Sequence, residues 1–233
     1  MSEDIYDDEW AENYARRADA AIPGRQGLYR CLTACFADLP REARILVVGC
    51  GTGEELIVLA NTLPGATFVA VDPAAPMLEV CHRRLAAADQ ASRVRLIEGY
   101  ASELPAERSF AAATSILVAQ HLQDEGEALS FFQNIADRLE PEGRLYTADM
   151  HIGLGQDRAA LYRLWQQQAR LAGIEAELVE DMARHIESDL RPRSEEQILS
   201  LLQQAGFAEV LKPFSSLLYG AWFAQLYGDV KPR

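Results

Sequence analysis

Between Arg44 and Asp149 the chain alternates two kinds of segment, and that alternation limits its fold more than any other feature. Short apolar runs of β character stand at 44–48, 67–71, 93–97, 110–117 and 144–148, separated by stretches of helical periodicity at about 54–63, 76–88 and 126–139. Strands that alternate with helices are joined by right-handed parallel crossovers, so they share one sheet covered by helices on both faces. The class that follows is α/β, with a doubly wound sheet. Asp124 and Glu127 form a capping-box pattern where the third of these helices starts. With 233 residues there is enough chain for one sizeable core, and 1–233 reads as a single domain.

The flanks read differently. Segments 5–21 and 25–38 carry helical periodicity, through Ile5, Tyr6, Trp10 and Tyr14 and then Leu28, Leu32, Cys35 and Phe36, and Pro23 and Gly24 part them. Together they make an N-terminal helical lid over 1–40. After Asp149 the alternation stops and 155–190 reads as helix throughout, with Leu161, Leu164, Trp165 and Leu171 on one side and three consecutive glutamines opposite. This insertion, 152–192 between the fifth and sixth strands, is a candidate cap over the carboxyl edge of the sheet. Ser194 and Gln197 open a regular helix by a second capping box, and it stops at Gly206. Two last strands, about 208–212 and 216–226, are joined by a few residues containing Pro213 and are expected to pair as a hairpin.

Charge narrows the partners. A formal net charge of −13 repels phosphate backbones and anionic lipid, which disfavours nucleic acid and membrane and points to a small-molecule partner. The start, MSEDIYDDEW, is acidic, and no apolar run approaches the ~18 residues that span a bilayer, so a soluble, cytoplasmic monomer or homodimer is expected. Cys31 and Cys35 stand four apart, but no second cysteine or histidine pair stands at metal spacing, and with Cys50 and Cys81 they read as reduced thiols. No metal is expected.

The chemistry concentrates where the first strand ends. The segment ILVVGCGTGEE places Gly49, Gly51 and Gly53 in the first strand-to-helix turn, where ligands of open α/β sheets bind. Without Cβ atoms these residues let backbone approach a ligand and adopt positive φ. A phosphate-binding P-loop needs Gly-Lys-Ser/Thr after the loop, and here Gly53 is followed by Glu54 and Glu55. A dinucleotide fingerprint needs Gly-x-Gly-x-x-Gly, whereas this spacing is Gly-x-Gly-x-Gly, with two carboxylates that would repel a pyrophosphate. Asp72, closing the second strand in FVAVDPAAPML, stands where a carboxylate accepts both hydroxyls of a ribose. A ribose without pyrophosphate beside acidic groups suits S-adenosyl-L-methionine, whose sulfonium and ammonium are positive.

These residues resemble the class I S-adenosylmethionine-dependent methyltransferases. The resemblance runs from ILVVGCGTG through VAVDPAAPML, VRLIEGYASELP, TSILVAQHL and LEPEGRLYTADM to the closing AGF hairpin. It implies a Rossmann-like, seven-stranded mixed sheet of order 3-2-1-4-5-7-6 whose last hairpin strand is antiparallel. It also implies cofactor contacts at Gly49, Cys50, Gly51, Gly53, Asp72, Pro73, Met77, Tyr100, Ala101 and Gln120. Met77 would pack on the adenine, Ala101 would offer it a backbone amide, and Gln120 and His121 would border the transferred methyl group. Three departures from the family's pattern stand out. Val47 replaces an acid common in the first strand, and Tyr100 replaces an aspartate common before the alanine of the third-strand loop. The Asn/Asp-Pro-Pro-Tyr/Phe signature of exocyclic base methylation is missing after the fourth strand.

Displacement of a methyl group from a sulfonium asks mainly for alignment and exclusion of water, and for a base only when the nucleophile carries a proton. His121 and Tyr14 are the candidate catalytic residues, with Tyr146 a third. Trp10 and Tyr14 can close over the cofactor, and Trp165, Met182, Arg184 and His185 are candidates to face the acceptor. S-adenosyl-L-homocysteine would be the product. Two further readings follow from the same residues. The tail SEEQILSLLQQAGF and FSSLLYGAWFA resembles the layout of carboxy-S-adenosylmethionine synthases of tRNA modification, which need an arginine such as Arg184 for the added carboxylate. A non-catalytic binder of the cofactor or its product would instead show a sealed acceptor cavity behind Gln120 and His121.

Overall fold

In a computed structural model of the chain, residues 8–153 and 157–228 are described. Two helices, α1 (Asp8–Ala21) and α2 (Arg25–Cys35), lead into an alternating β/α core. The core runs β1 (Arg44–Val48), α3 (Glu54–Thr62), β2 (Thr67–Asp72), α4 (Ala75–Ala87), β3 (Val94–Glu98), β4 (Phe110–Ile116), α5 (Glu125–Ala136) and β5 (Leu139–Ile152). There follow α6 (Arg158–Leu171), α7 (Ala176–Ser188), β6 (Arg193–Ser194), α8 (Glu195–Gln204), β7 (Phe207–Ser216) and β8 (Tyr219–Leu226).

The sheet order is β3-β2-β1-β4-β5-β8-β7, with the two-residue β6 pairing β5 off this path. Setting β6 aside, this is the expected seven-stranded order. The first five strands pair in parallel, while β8 is antiparallel to both β5 and β7. β1 is central, and its side chains alternate between two cores, which is why it reads as an unbroken apolar run. Leu46 and Val48 join the core under α5 and α8, with Phe132, Ile135, Leu201 and Trp222. Ile45 and Val47 face the other way, against Leu28, Leu32, Leu56, Leu59 and Leu85 of α2, α3 and α4.

Four expectations need correction. The 155–190 segment is two helices, broken at Gly173, which takes a φ of +89° that an uninterrupted helix cannot contain. The hairpin turns at Leu217 and Leu218, and Pro213 lies inside β7 where the pairing with β8 slips register between Leu211 and Phe214. A proline in a strand is tolerated at such an irregularity on an edge, and β7 is the edge strand. β5 runs on past 148 to Ile152, so Asp149 is inside a strand. At α5, Asp124 accepts from the Glu127 amide as a cap should, but the Glu127 carboxylate accepts from Gln123 one residue before it, so the reciprocal half of the box is displaced. The Ser194–Gln197 box closes in both directions. Ile5 and Tyr6 lie outside the described residues, as does the start of the 155–190 segment.

α1, α6 and α7 come together above the carboxyl end of β5 and the amino end of β8. Their contact is a third apolar cluster built on Ala21, Ile22, Tyr162, Trp165, Ala183, Ile186, Leu190 and Tyr219. Trp165 is wholly buried there, and its indole N–H donates to the Ala21 carbonyl at 2.9 Å. At its other end α1 lies on α4, with Ala11 against Met77 and Val80. The lid is thus clamped at both ends, and the space between it and the sheet is left open.

Candidate active site

That space is a cavity with about 1230 Å³ of free volume, its open mouth included. Its floor is the carboxyl edge of the sheet at the point where the strand order reverses, between β1 and β4. From the floor come Gly49, Gly51, Asp72, Pro73, Ala74, Ile116, Leu117, Val118, Gln120 and His121; α4 adds Met77. The roof comes from α1, through Trp10, Tyr14, Arg17, Ala18 and Ala21, and from α7, through Met182, His185 and Ile186.

The glycine turn is shaped by its contacts. Gly49 and Cys50 both donate backbone N–H to the Val71 carbonyl, at 2.8 and 3.1 Å, which folds the chain back over the end of β2. Gly49, Gly51 and Gly53 have φ of +70°, +50° and +81°. A Cβ on Gly49 would stand 2.3 Å from a Val118 methyl, and one on Gly51 would touch the Met77 methyl at 3.4 Å. Bare backbone here is therefore a requirement of both conformation and space. Gly53 caps α3 and rests on the Cys81 thiol, below the cavity.

Asp72 accepts from the Gly51 amide at 2.8 Å through one oxygen and from the Ala74 amide at 2.9 Å through the other. Burial raises its pKa, and the two amides oppose that rise. Each oxygen retains a second lone pair, so a vicinal diol can be bound without losing either amide. The two glutamates after the turn behave differently from the expectation that they would face a ligand. Glu54 is buried against the opening charge of α3 but is held ionised by Arg25 and Arg84, which keep its carboxyl below the usual range. Glu55 lies under the turn, where burial and the charge of Glu54 push its carboxyl well above the usual range, and it accepts from Thr114 at 3.4 Å. Neither lines the cavity.

Gln120 and His121 sit on a 3-10 turn, Ala119–His121, that follows β4. Asp149 accepts from the Gln120 amide at 3.1 Å, the Met150 amide donates to the Gln120 side-chain oxygen at 3.0 Å, and Arg191 N–H donates to the Gln120 carbonyl at 2.7 Å. Buried Arg193 adds bonds to the carbonyls of Ala119, Leu122 and Asp124. Burial pushes Asp149 up to about 7. Arg193 and Asp149 are the supports that sequence reading missed, because a turn's buried staples come from distant segments that no local spacing reveals. Leu117, just before this turn, takes a φ of +63°. Such strain in a residue with a side chain collects at binding sites.

The expected residues fall into three groups. Gly49, Gly51, Asp72, Pro73, Met77, Gln120, His121 and Tyr14 share the cavity, as do Trp10, Met182 and His185. Cys50, Gly53 and Ala101 are buried in or beneath the turns that shape it, and Tyr100 is half exposed. Trp165, Arg184 and Tyr146 are elsewhere. Trp165 locks the cap to α1, Arg184 is out on the surface in an ion pair with Asp181, and Tyr146 donates its hydroxyl to the Leu28 carbonyl at 2.8 Å. The arginine that a carboxylated cofactor would need is therefore not supplied by Arg184. Nor is the cavity sealed, as a non-catalytic binder would have it.

Charge separates the two candidate catalytic residues from the roles expected of them. Burial raises Tyr14 to about 12, so it keeps its proton and serves as a donor. Burial, with the nearby His185, lowers His121 to about 4, which leaves a neutral imidazole that bonds the Leu117 carbonyl. Arg17, which the sequence reading passed over, lies 4.5 Å from the centre of the Trp10 ring and lines the same cavity. Its signal was there: Trp10, Tyr14, Arg17 and Ala21 repeat at helical spacing on one face. Among the described residues no three His, Cys, Asp or Glu side chains stand where a metal could be held, and no helix is long and apolar enough to cross a membrane.

Comparison with known proteins agrees with this fold. Residues 45–143 match the model of a family described as a methyltransferase domain. A putative O-methyltransferase from Nostoc punctiforme PCC 73102 superposes with a TM-score of 0.67 at 17% identity, over 94% of this chain and 59% of that one. An O-methyltransferase family protein from Burkholderia thailandensis gives 0.64 at 16%, over 98% and 60%. A geranyl diphosphate methyltransferase in complex with GPP and sinefungin gives 0.60 at 13%, over 85% and 77%. At such identities the likeness is one of fold, and the chain spans about three fifths of the first two proteins. No curated protein matches it in sequence.

Proposed function

We propose, on the premise that residues 45–143 are a class I methyltransferase domain within a Rossmann-like methyltransferase fold, that this chain transfers a methyl group from S-adenosyl-L-methionine to a small, largely apolar acceptor. When bound, that cofactor supplies an electrophilic methyl on a sulfonium. The observation that carries the reading is that one cavity holds both halves of such a site. Gly49, Gly51 and Asp72 bring bare backbone and a carboxylate, while Ile22, Met182, Ile186, Leu190 and Tyr219 bring an apolar wall. A Cβ on Gly49 would collide with a Val118 methyl, and Gly51 takes a φ of +50°, so the turn presents bare backbone to whatever the cavity holds.

The residues fit that cofactor. Asp72 would accept from the ribose hydroxyls with its remaining lone pairs, and Met77 would lie against the adenine with a polarisable thioether. Arg17 and the protonated Tyr14 would meet the carboxylate of the amino-acid end. The lid formed by α1 and the α6–α7 cap would exclude water and hold the acceptor in line with the methyl–sulfur bond. The geranyl diphosphate methyltransferase, solved in complex with GPP and sinefungin and alike in fold, supports the choice of ligand.

The test is transfer of isotope-labelled methyl from S-adenosyl-L-methionine into cell extract divided into small molecules, nucleic acid and protein. Label is expected in the small-molecule fraction, with one S-adenosyl-L-homocysteine formed per methyl transferred. Label confined to nucleic acid or protein would overturn the acceptor class.

A further inference from the structure

We propose that His185, held by Asp189, takes the proton from an acidic hydroxyl on the acceptor, a phenol or enol, as that oxygen is methylated. The inference rests on the cofactor reading above and adds to it the substrate class and the base. Four observations carry it. First, His185 lines the cavity from α7, and its Nδ1 lies 2.7 Å from an Asp189 carboxylate oxygen one helical turn on. With Nδ1–H donated to the carboxylate, the ring is fixed in the tautomer that leaves the Nε2 lone pair as acceptor, and positive charge gained there is balanced by Asp189.

Second, the other titratable groups of the cavity are committed elsewhere. Tyr14 holds its proton to about 12, burial likewise keeps the Tyr219 phenol protonated, and both oxygens of Asp72 already accept amides. His121 is pushed down to about 4 and bonds the Leu117 carbonyl, which leaves it weakly basic. Asp189 is held below the usual carboxylate range by its bond to His185, so it stays ionised as the partner of an imidazolium.

Third, the charged groups around His185 are few. Among the described residues these are Asp189, the cap just past the end of its helix; Arg184 and Asp181 on that helix, paired with each other; His121 from the turn after β4, with ring centres 6.3 Å apart; and Arg17 from α1, laid on the Trp10 indole. α6, which packs on α7, contributes no residue to the cavity lining. Fourth, the Trp10 ring meets His185 edge-on at 6.4 Å and the His121 ring lies tilted to it at 6.3 Å, and Ile22, Met182, Ile186, Leu190 and Tyr219 complete an apolar wall. This suits a flat apolar body better than a flexible polar one. A phenol, with a pKa of about 10, gives its proton to an imidazole in the transition state far more readily than an aliphatic alcohol does.

The step balances. The acceptor oxygen bonds to the methyl carbon as the methyl–sulfur bond breaks, the electron pair stays on sulfur as a thioether, and the hydroxyl proton passes to His185 Nε2. It leaves to solvent after release.

Two readouts test this. In the first, which needs no turnover, 7-hydroxy-4-methylcoumarin is titrated with the protein in the presence of S-adenosyl-L-homocysteine, and the phenolate absorbance band is followed near neutral pH. Wild type is expected to bind it with an increase in that band, while His185→Gln binds it without the increase and Asp189→Asn shows a reduced one. In the second, methyl-labelled S-adenosyl-L-methionine is offered with 7-hydroxy-4-methylcoumarin, 2-naphthol and 2-naphthylamine. Label is expected on the phenolic oxygens. In His185→Gln, kcat should fall about 10²-fold with KM nearly unchanged, and the acidic limb of the wild-type pH profile should be lost.

Label on the amine alone, no transfer to any phenol by a protein that binds S-adenosyl-L-methionine, or a His185→Gln variant with wild-type kcat and acidic limb would each overturn the inference. Absence of any binding of S-adenosyl-L-methionine or its product would instead overturn the cofactor reading beneath it.

Discussion

Gly49 has no room for a methyl group. With a φ of +70° and a Val118 methyl 2.3 Å from where its Cβ would be, Gly49→Ala must move either the turn or the end of β4. A loss of about 1–3 kcal/mol in denaturant unfolding is expected, together with weaker cofactor binding; a variant unchanged in both would show that the turn is not the cradle described. Asp149 gives a second single-residue prediction. Its folded pKa, raised to about 7, lies above the ordinary carboxylate value, so the native state binds the extra proton between about pH 4 and 7. The stability it contributes is full at the acid end and is lost as pH rises through 7. Thermal melts of Asp149→Asn and wild type should therefore diverge in the variant's favour as pH is raised from 4 to 8, and a constant difference would contradict the burial argument. The positive φ of the glycines and the place of Asp72 at the end of β2 were legible because both follow from local spacing alone. Glu54 was misread because the charges that neutralise it, Arg25 and Arg84, come from outside the turn, and Trp165 because an aromatic on an apolar helix face reads the same whether it meets a ligand or another helix.

At the scale of elements, the lid is a clamp with two contacts. α1 is tied to α4 at one end by Ala11, Met77 and Val80, and to the cap at the other by the Trp165–Ala21 hydrogen bond. Trp165→Phe removes the N–H and one ring from a wholly buried site, taking the indole donor from the Ala21 carbonyl and leaving a small void, so a cost of about 2–4 kcal/mol is expected. It should appear as faster amide exchange in α6, α7 and the end of α1, with β1 to β4 unchanged. Equal acceleration throughout the sheet would mean that the cap and the core unfold as one unit. The alternating β/α core was legible from periodicity because each of its elements buries one consistent face. The cap was legible as an insertion but not as two helices: Gly173 carries the usual stop signal of a helix, and its φ of +89° shows that signal taken. The hairpin was found but misplaced: Pro213 reads as a turn residue, and only the slipped pairing of an edge strand lets it stay inside β7.

At the scale of the molecule, the sheet, lid and cap meet at one cavity, where the reversal of strand order opens the crevice and the net charge of −13 disfavours polyanionic partners. The direct measurement is calorimetric titration of the purified protein with S-adenosyl-L-methionine, S-adenosyl-L-homocysteine and a nicotinamide dinucleotide, repeated on Asp72→Ala. One molecule of each sulfur ligand is expected to bind per chain, with no heat from the dinucleotide, and Asp72→Ala should lose about 1–3 kcal/mol, roughly five- to 150-fold in affinity. Binding of the dinucleotide in place of the sulfur ligands, or an Asp72→Ala variant with unchanged affinity, would contradict it.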